Sequence, residues 1–200
     1  MKKRLLSAIL FLSFCLVGLW AKEDIRIINP VLPGDRPDPS IIKIDGVYWA
    51  AATSNEWSPL FPIFKSKDMQ NWELVNYVFP GGAPEWALNN FWAPELSYDE
   101  KQKKVYLYYT ARVKSSNRLA VADSPMGEFT DLGPLVAQEP GSIDAFEMRD
   151  ENGKLYLLWK EDGNSMGLPT HMWAQQMTED RTRLTGEMHS LFYNDTPWEE

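Results

Sequence analysis

The strongest constraint on this fold is a strand-rich unit that occurs three times within 200 residues. In each copy an acidic residue precedes a run of β-branched and aromatic residues, which turns and returns through a tyrosine. Repeats of about 50 residues with four strands each are typical of β-propeller blades. The acids are Asp38, Glu95 and Asp144, and Tyr48, Tyr106 and Tyr156 follow them by 10, 11 and 12 residues.

The pattern of apolar residues indicates strands and almost no helix. Short apolar runs alternate with Gly, Asp, Asn and Pro, and Asp45-Gly46 and Asn152-Gly153 predict tight hairpin turns. A second internal match, between 66–72 and 123–129, favours a repeated blade over a β-meander with chance similarity. The predicted strands are 40–44, 47–53, 61–66 and 72–78; 95–98, 104–111, 118–123 and 128–132; and 144–149, 154–160, 171–177 and 189–192.

The three acids occupy what the offsets indicate are matching points of the repeat. In a propeller the first strand of each blade lines a central channel, and equivalent strand ends meet at one face. Asp38, Glu95 and Asp144 each precede or open such a strand, so we expect their carboxylates to converge. Convergent carboxylates are the groups that acid–base chemistry on sugars requires. The aromatic content of 13% fits both sugar stacking and an aromatic-rich β core.

The first 21 residues have the layout of an export signal. Three cations at residues 2–4 precede an apolar run over 5–20, and Ala21 is a small residue at the expected cleavage point. The run is short for a membrane span, and Phe14 is too bulky before Cys15 for a lipoprotein cleavage site. We therefore expect an exported protein, periplasmic or extracellular, without a lipid anchor or a stable membrane span after cleavage.

Charge and composition restrict the partners. A net charge of −8 argues against nucleic acid or an anionic membrane, whereas a neutral oligo- or polysaccharide is compatible with it. Cys15 is the only cysteine, so the mature chain would form no internal disulfide. The two histidines, His171 and His189, are too isolated to form a metal motif, and no cofactor is predicted from the residues.

Five sequence stretches together resemble family 43 of the glycoside hydrolases, a group of five-bladed β-propeller xylosidases and arabinan-degrading enzymes. The resemblance covers essentially everything after the predicted signal. It implies an all-β propeller of the five-bladed type with about three blades, at 36–80, 92–133 and 142–195, in an incomplete catalytic domain at 22–200. The matching stretches are 29–40 (which contains Pro37-Asp38-Pro39), 53–57, 91–95, 142–144 and 159–164.

The resemblance implies inverting hydrolysis of arabinose- or xylose-containing glycans. By motif, Asp38 resembles the general base that deprotonates a water, and Asp144 resembles the second acid that raises the pKa of the general acid. Pro37 and Pro39 would restrict the backbone at Asp38 and hold it rigidly. Ala145 stands where many family members have proline.

Three further residues are predicted to bind substrate. Glu95, in the Trp-Ala-Pro-acid motif, resembles a residue that lines the sugar subsite. Trp92 either stacks on the sugar or packs between blades, and Trp57 either forms a wall of the site or anchors neighbouring blades. The resemblance also allows a structural calcium ion in the channel of the complete domain, although the sequence shows no recognisable oxygen cage for it.

The family's general acid, a glutamate in a Glu-Gly-Pro-like motif about one blade beyond the modulator, is absent from this sequence. Glu199 and Glu200 match the segment that leads up to it and are not expected to replace it. We therefore expect an N-terminal portion of a longer glycosidase that is inactive alone. The alternative is a non-hydrolytic carbohydrate-binding propeller, and a propeller that serves as a protein-interaction scaffold ranks third.

Overall fold

The computed structural model describes residues 26–113, 116–122 and 124–199. The predicted export signal at 1–21 lies outside these residues. The described chain contains twelve strands, two short 3-10 helices at Gly163–Met166 and Pro197–Glu199, and no α-helix. Within that part of the chain, no helix is long and apolar enough to cross a membrane.

The strands form three antiparallel four-stranded sheets, each a meander in chain order, which are three blades of a β-propeller. The first blade contains β1 (Ser40–Ile44), β2 (Val47–Ala51), β3 (Leu60–Ser66) and β4 (Glu73–Phe79). The second contains β5 (Asn89–Asp99), β6 (Lys104–Arg112), β7 (Ser116–Ala122) and β8 (Thr130–Val136). The third contains β9 (Ser142–Arg149), β10 (Leu155–Glu161), β11 (His171–Met177) and β12 (Leu184–Tyr193).

The observed strands correspond to the twelve predicted ones, and the largest differences, of five to six residues, are at two starts. β5 begins at Asn89 rather than near 95 because irregular pairing carries the strand through Pro94, which cannot donate a ladder hydrogen bond. β12 begins at Leu184 rather than near 189, since Thr185 and Leu184 still pair with β11 after a register shift.

The two predicted hairpins differ in turn geometry. Asp45 and Gly46 both have positive φ, at 48° and 81°, and form the expected two-residue loop between Ile44 and Val47. The other hairpin has a three-residue loop at 151–153, closed by a hydrogen bond from the Asp150 N–H to the Lys154 carbonyl at 2.9 Å. The Asp150 carboxylate stabilises this longer loop because it accepts the N–H groups of Asn152, inside the loop, and of Lys154, which follows it.

Strand β6 explains how the blades pack. Val105, Leu107 and Tyr109 face a core shared with the first blade, whereas Tyr106 and Tyr108 face a core shared with the third. Since successive side chains on a strand point to opposite faces, a continuous apolar run is buried on both sides. The first of these cores is aromatic, and its four interlocking rings are Phe61, Phe79, Phe91 and Tyr109.

Candidate active site

The first strands of the three blades meet around a cavity of about 350 Å³. β5 lies between β1 and β9 and contacts both of them. The three acids singled out in the sequence, Asp38, Glu95 and Asp144, all line this cavity. The other lining residues are Pro39, Ala93, Pro94, Ala145 and Phe146.

Each blade places a residue with left-handed backbone at this cavity, just before β1 in the first blade and within β5 and β9 in the other two. Asp38, Ala93 and Asp144 have φ of 50°, 44° and 55°. A left-handed conformation costs a non-glycine residue on the order of 1–3 kcal/mol and persists only where the surroundings impose it. In β5 and β9 the residue lies in a β-bulge, because the pairing with the second strand slips by one residue there.

The pairing of first and second strands shows which residues of the blades are equivalent, and it differs from the sequence-based match. Glu95 pairs with Tyr108 and therefore corresponds to Phe146, which pairs with Leu158. The residue of β5 that corresponds to Asp144 is Ala93, so placing Glu95 at the matching point was wrong by two residues.

The offset to the tyrosine misleads because the hairpin loops of the three blades differ in length. Each offset counts the loop, which spans 45–46 in the first blade, 100–103 in the second and 151–153 in the third. Glu95 lies two residues beyond Ala93 on the same strand and lines the same cavity.

Asp38 is exposed to the cavity and held from one side. The Thr53 hydroxyl donates a hydrogen bond of 2.7 Å to its Oδ2, and the Thr53 N–H donates to the carbonyl of Pro37 at 3.0 Å. Its Oδ1 accepts no hydrogen bond from the described part of the chain. Asp38 thus has one anchored oxygen and one oxygen that a water molecule can reach.

Asp144 is also open to the cavity, but protein atoms crowd its carboxyl group. Burial is the largest influence on its pKa and raises it; the positive charge of Lys160 opposes this, while the negative charges of Asp38 and Asp162 add to it. Asp38 and Asp144 line the same cavity, which is why the charge of Asp38 acts on the pKa of Asp144. The Asp144 N–H makes a long contact of 3.4 Å to the Thr110 hydroxyl.

Glu95 is half-buried, and burial raises the pKa of its carboxyl group against a hydrogen bond from Ser40 that lowers it. Ser40 also accepts the Leu96 N–H at 3.0 Å, which fastens β1 to β5 beside the cavity. Two of the three cavity acids therefore hold their protons to a higher pH than usual.

The two tryptophans lie in different settings. The indole N–H of Trp92 donates to Asn55 Oδ1 at 2.7 Å, which ties β5 to the loop that follows β2. Trp57 is 79% exposed, so it does not anchor described blades. It lines a second cavity of about 320 Å³, which also involves Thr53 and therefore adjoins the Asp38 side of the first.

Sequence reasoning missed Thr53 and Ser40, and it gave Lys160 no role. Thr53 and Lys160 lie inside two of the stretches that carry the family resemblance, and this was the available signal. The described residues contain no group of three or more His, Cys, Asp or Glu able to hold a metal ion. These residues alone offer no calcium site, and a structural calcium ion in the channel stays a prediction.

Comparison with known proteins decides the family. The sequence profile described as Glycosyl hydrolases family 43 matches residues 27–200. The chain belongs to glycosyl hydrolase family 43. Its expected fold is confirmed by a crystal structure of a thermostable family 43 glycoside hydrolase, which superposes with a TM-score of 0.72 at 25% identity, covering 87% of this chain and 58% of that one.

Two curated relatives show the range of this part of family 43. A β-xylosidase of Bacillus subtilis (strain 168) is 31% identical over 186 residues, covering 84% of this chain and 33% of that protein. A xylosidase/arabinosidase 43B of Humicola insolens is 30% identical over 151 residues, covering 67% of this chain and 27% of that protein. The chain thus spans about a third or less of the length of these relatives.

Proposed function

We propose that this family 43 domain acts in the inverting hydrolysis of glycosidic bonds in arabinose- or xylose-containing glycans. The observation that carries the proposal is the pairing of two unlike carboxylates in one cavity. Asp38 keeps an open oxygen for a water, whereas the pKa of Asp144 is raised by burial and by the charge of Asp38. The names of the β-xylosidase and xylosidase/arabinosidase relatives support the sugar class.

In the proposed reaction Asp38 is the general base. A water held by its Oδ1 attacks the anomeric carbon, and Asp38 takes the proton as the new C–O bond forms. The bond to the leaving oxygen breaks, and that oxygen receives a proton from the general acid. Asp144 acts on the acid rather than on the water, because a neighbouring anion keeps a carboxylic acid protonated until it donates.

We assign the general acid to a residue outside these 200, because the sequence contains no Glu-Gly-Pro-like motif. The proposal therefore has these residues supply the base, the modulator and part of the sugar site, without turnover by the 200-residue chain alone. Glu95, Trp57 and Trp92 are the proposed substrate contacts; Trp57 is the one whose ring is open for stacking. Export through the signal at 1–21 is part of the same proposal.

The decisive experiment assays the full-length gene product that contains this sequence on aryl β-xylosides and aryl α-L-arabinofuranosides. Asp38→Asn should lower kcat by about 10²–10⁴-fold, because general base catalysis contributes that much. Glu151→Gln, in an exposed hairpin loop, is the matched control and should retain full activity. NMR of the first product should show the inverted anomer.

Two outcomes would contradict the proposal. Full activity of the Asp38→Asn variant would remove Asp38 from the base role. A wild-type protein that binds xylo- or arabino-oligosaccharides and never cleaves them would instead support a non-hydrolytic carbohydrate-binding propeller.

A further inference from the structure

A buried threonine connects the proposed base to the neighbouring blade. Thr53 is 5% exposed and follows β2 in the first blade. Its hydroxyl lies 2.7 Å from Asp38 Oδ2 and 2.7 Å from the backbone nitrogen of Ala93 in the second blade. One hydroxyl therefore joins the Pro-Asp-Pro segment of one blade to the Trp-Ala-Pro segment of the next.

The direction of these hydrogen bonds is fixed by chemistry. The Ala93 N–H can only donate, so the Thr53 oxygen accepts it. An ionised carboxylate can only accept, so the Thr53 proton points at Asp38. A hydroxyl locked in this way cannot turn its proton elsewhere, which makes it a directional support for one oxygen of Asp38.

The backbone around Ala93 is shaped to make this contact. Ala93 has a left-handed φ of 44°, which is unfavourable for a residue with a Cβ, and it lies in the bulge of β5. Its N–H points out of the sheet ladder and meets Thr53. Asp38 itself is left-handed, at 50°. Two strained residues are thus held by the same hydroxyl.

We propose that Thr53 is a positioning residue that orients the carboxylate of Asp38 by holding Oδ2, so that Oδ1 faces the attacking water. The inference rests on the proposed function of Asp38. The orientation of the Asp38 carboxylate then depends on the contact between the first and second blades, because the Ala93 N–H that holds Thr53 belongs to β5. A displacement of about 1 Å at a reacting group can cost on the order of 10²-fold in rate.

The test compares Thr53→Val and Thr53→Ser in the full-length gene product, on an aryl glycoside that it cleaves. Valine keeps the shape and removes the hydroxyl, and serine keeps the hydroxyl. We expect Thr53→Val to lower kcat by roughly 10-fold to 100-fold with KM changed less than about twofold. Thr53→Ser should restore kcat to within about threefold of wild type.

A second pair of variants separates positioning from a general structural role. In the Asp38→Asn background the base is absent, so adding Thr53→Val should change kcat by less than about twofold. Thermal unfolding of all variants, followed by circular dichroism, checks that each is folded.

Each result is decisive. Wild-type kcat in a folded Thr53→Val protein overturns the positioning role while the proposed function stands, provided that Asp38→Asn remains impaired. An equal loss from Thr53→Val with and without Asp38, or no rescue by serine, also overturns it. Full activity of Asp38→Asn, or no glycosidase activity in the wild type, overturns the proposed function and the positioning role together.

Discussion

Strands β5 and β9 each carry two acids, one at the cavity end and one near the opposite end. The pKa is raised for the acids at the cavity end and lowered for those at the opposite end. Glu95 and Asp144 line the cavity. Further along the same strands, Asp99 and Glu147 both bind the guanidinium of Arg181, which is 1% exposed. The two pairs of acids lie on the same strands and differ in the groups that surround each carboxylate.

At the far end, the acids are held ionised by hydrogen bonds. Burial alone raises the pKa of Glu147, but Arg181 outweighs it through two hydrogen bonds, at 3.0 and 3.1 Å, together with the hydroxyls of Ser97 and Tyr108. The net pKa is lowered. For Asp99, burial is again outweighed, by backbone N–H groups and Arg181. This network links the second blade to the third.

At the cavity end, burial prevails. The pKa values of Glu95 and Asp144 are raised because the groups that favour their charged forms, Ser40 and Lys160, do not compensate for the lost water. The same residue types therefore serve stability where a buried cation pairs with them, and they remain available for proton chemistry where no buried cation does.

The largest expected effect comes from removing the buried cation. Arg181→Met leaves Glu147 and Asp99 buried without their partner and should destabilise the domain by about 3–5 kcal/mol. The matched control is Lys65→Met, because the Lys65–Glu73 pair is 41% and 67% exposed, lies outside the Arg181 network and should contribute less than about 1 kcal/mol. Urea unfolding measures both variants, and equal losses would show that the buried network is no stronger than a surface pair.

An intermediate effect is expected on acidification. Because the folded pKa values of Glu147 and Asp99 are lowered, their stabilisation is present above the ordinary values of 4.5 and 3.8 and is lost as the pH falls through the lower folded values. The free energy of unfolding should therefore decline below about pH 4.5, less steeply in Arg181→Met. If the free energy of unfolding fell equally steeply with pH in both proteins, Arg181 would not be the cause of the decline.

The smallest effect has the opposite sign and concerns the cavity. Because the folded pKa of Glu95 is raised, its contribution is most favourable below the ordinary value of 4.5 and is lost as the pH rises through the folded value. Glu95→Gln removes the charge and should increase stability at pH 7 by up to about 1 kcal/mol. Differential scanning calorimetry at pH 4 and pH 7 checks this; a loss of stability at pH 7 would contradict it.

Prediction from the sequence was most successful where the information was local. The alternation of β-branched and aromatic residues located all twelve strands, and Asp45-Gly46 located a hairpin, because side-chain period and turn chemistry are properties of neighbouring residues. It was least successful for Glu95, whose match to Asp144 was wrong by two residues. The number of residues between the acid and the tyrosine depends on loop length and on β-bulges, and the alternation of apolar and polar residues reveals neither.

The repeated four-stranded unit, the family motifs and the three candidate acids are already present in the order of the residues. The packing of the blades brings these acids to one cavity, places Thr53 against Asp38, and pairs Arg181 with Asp99 from 82 residues away. The physical reason is that a carboxylate's behaviour depends on its desolvation and on partners brought from distant segments. Those quantities come into existence only when the blades pack together.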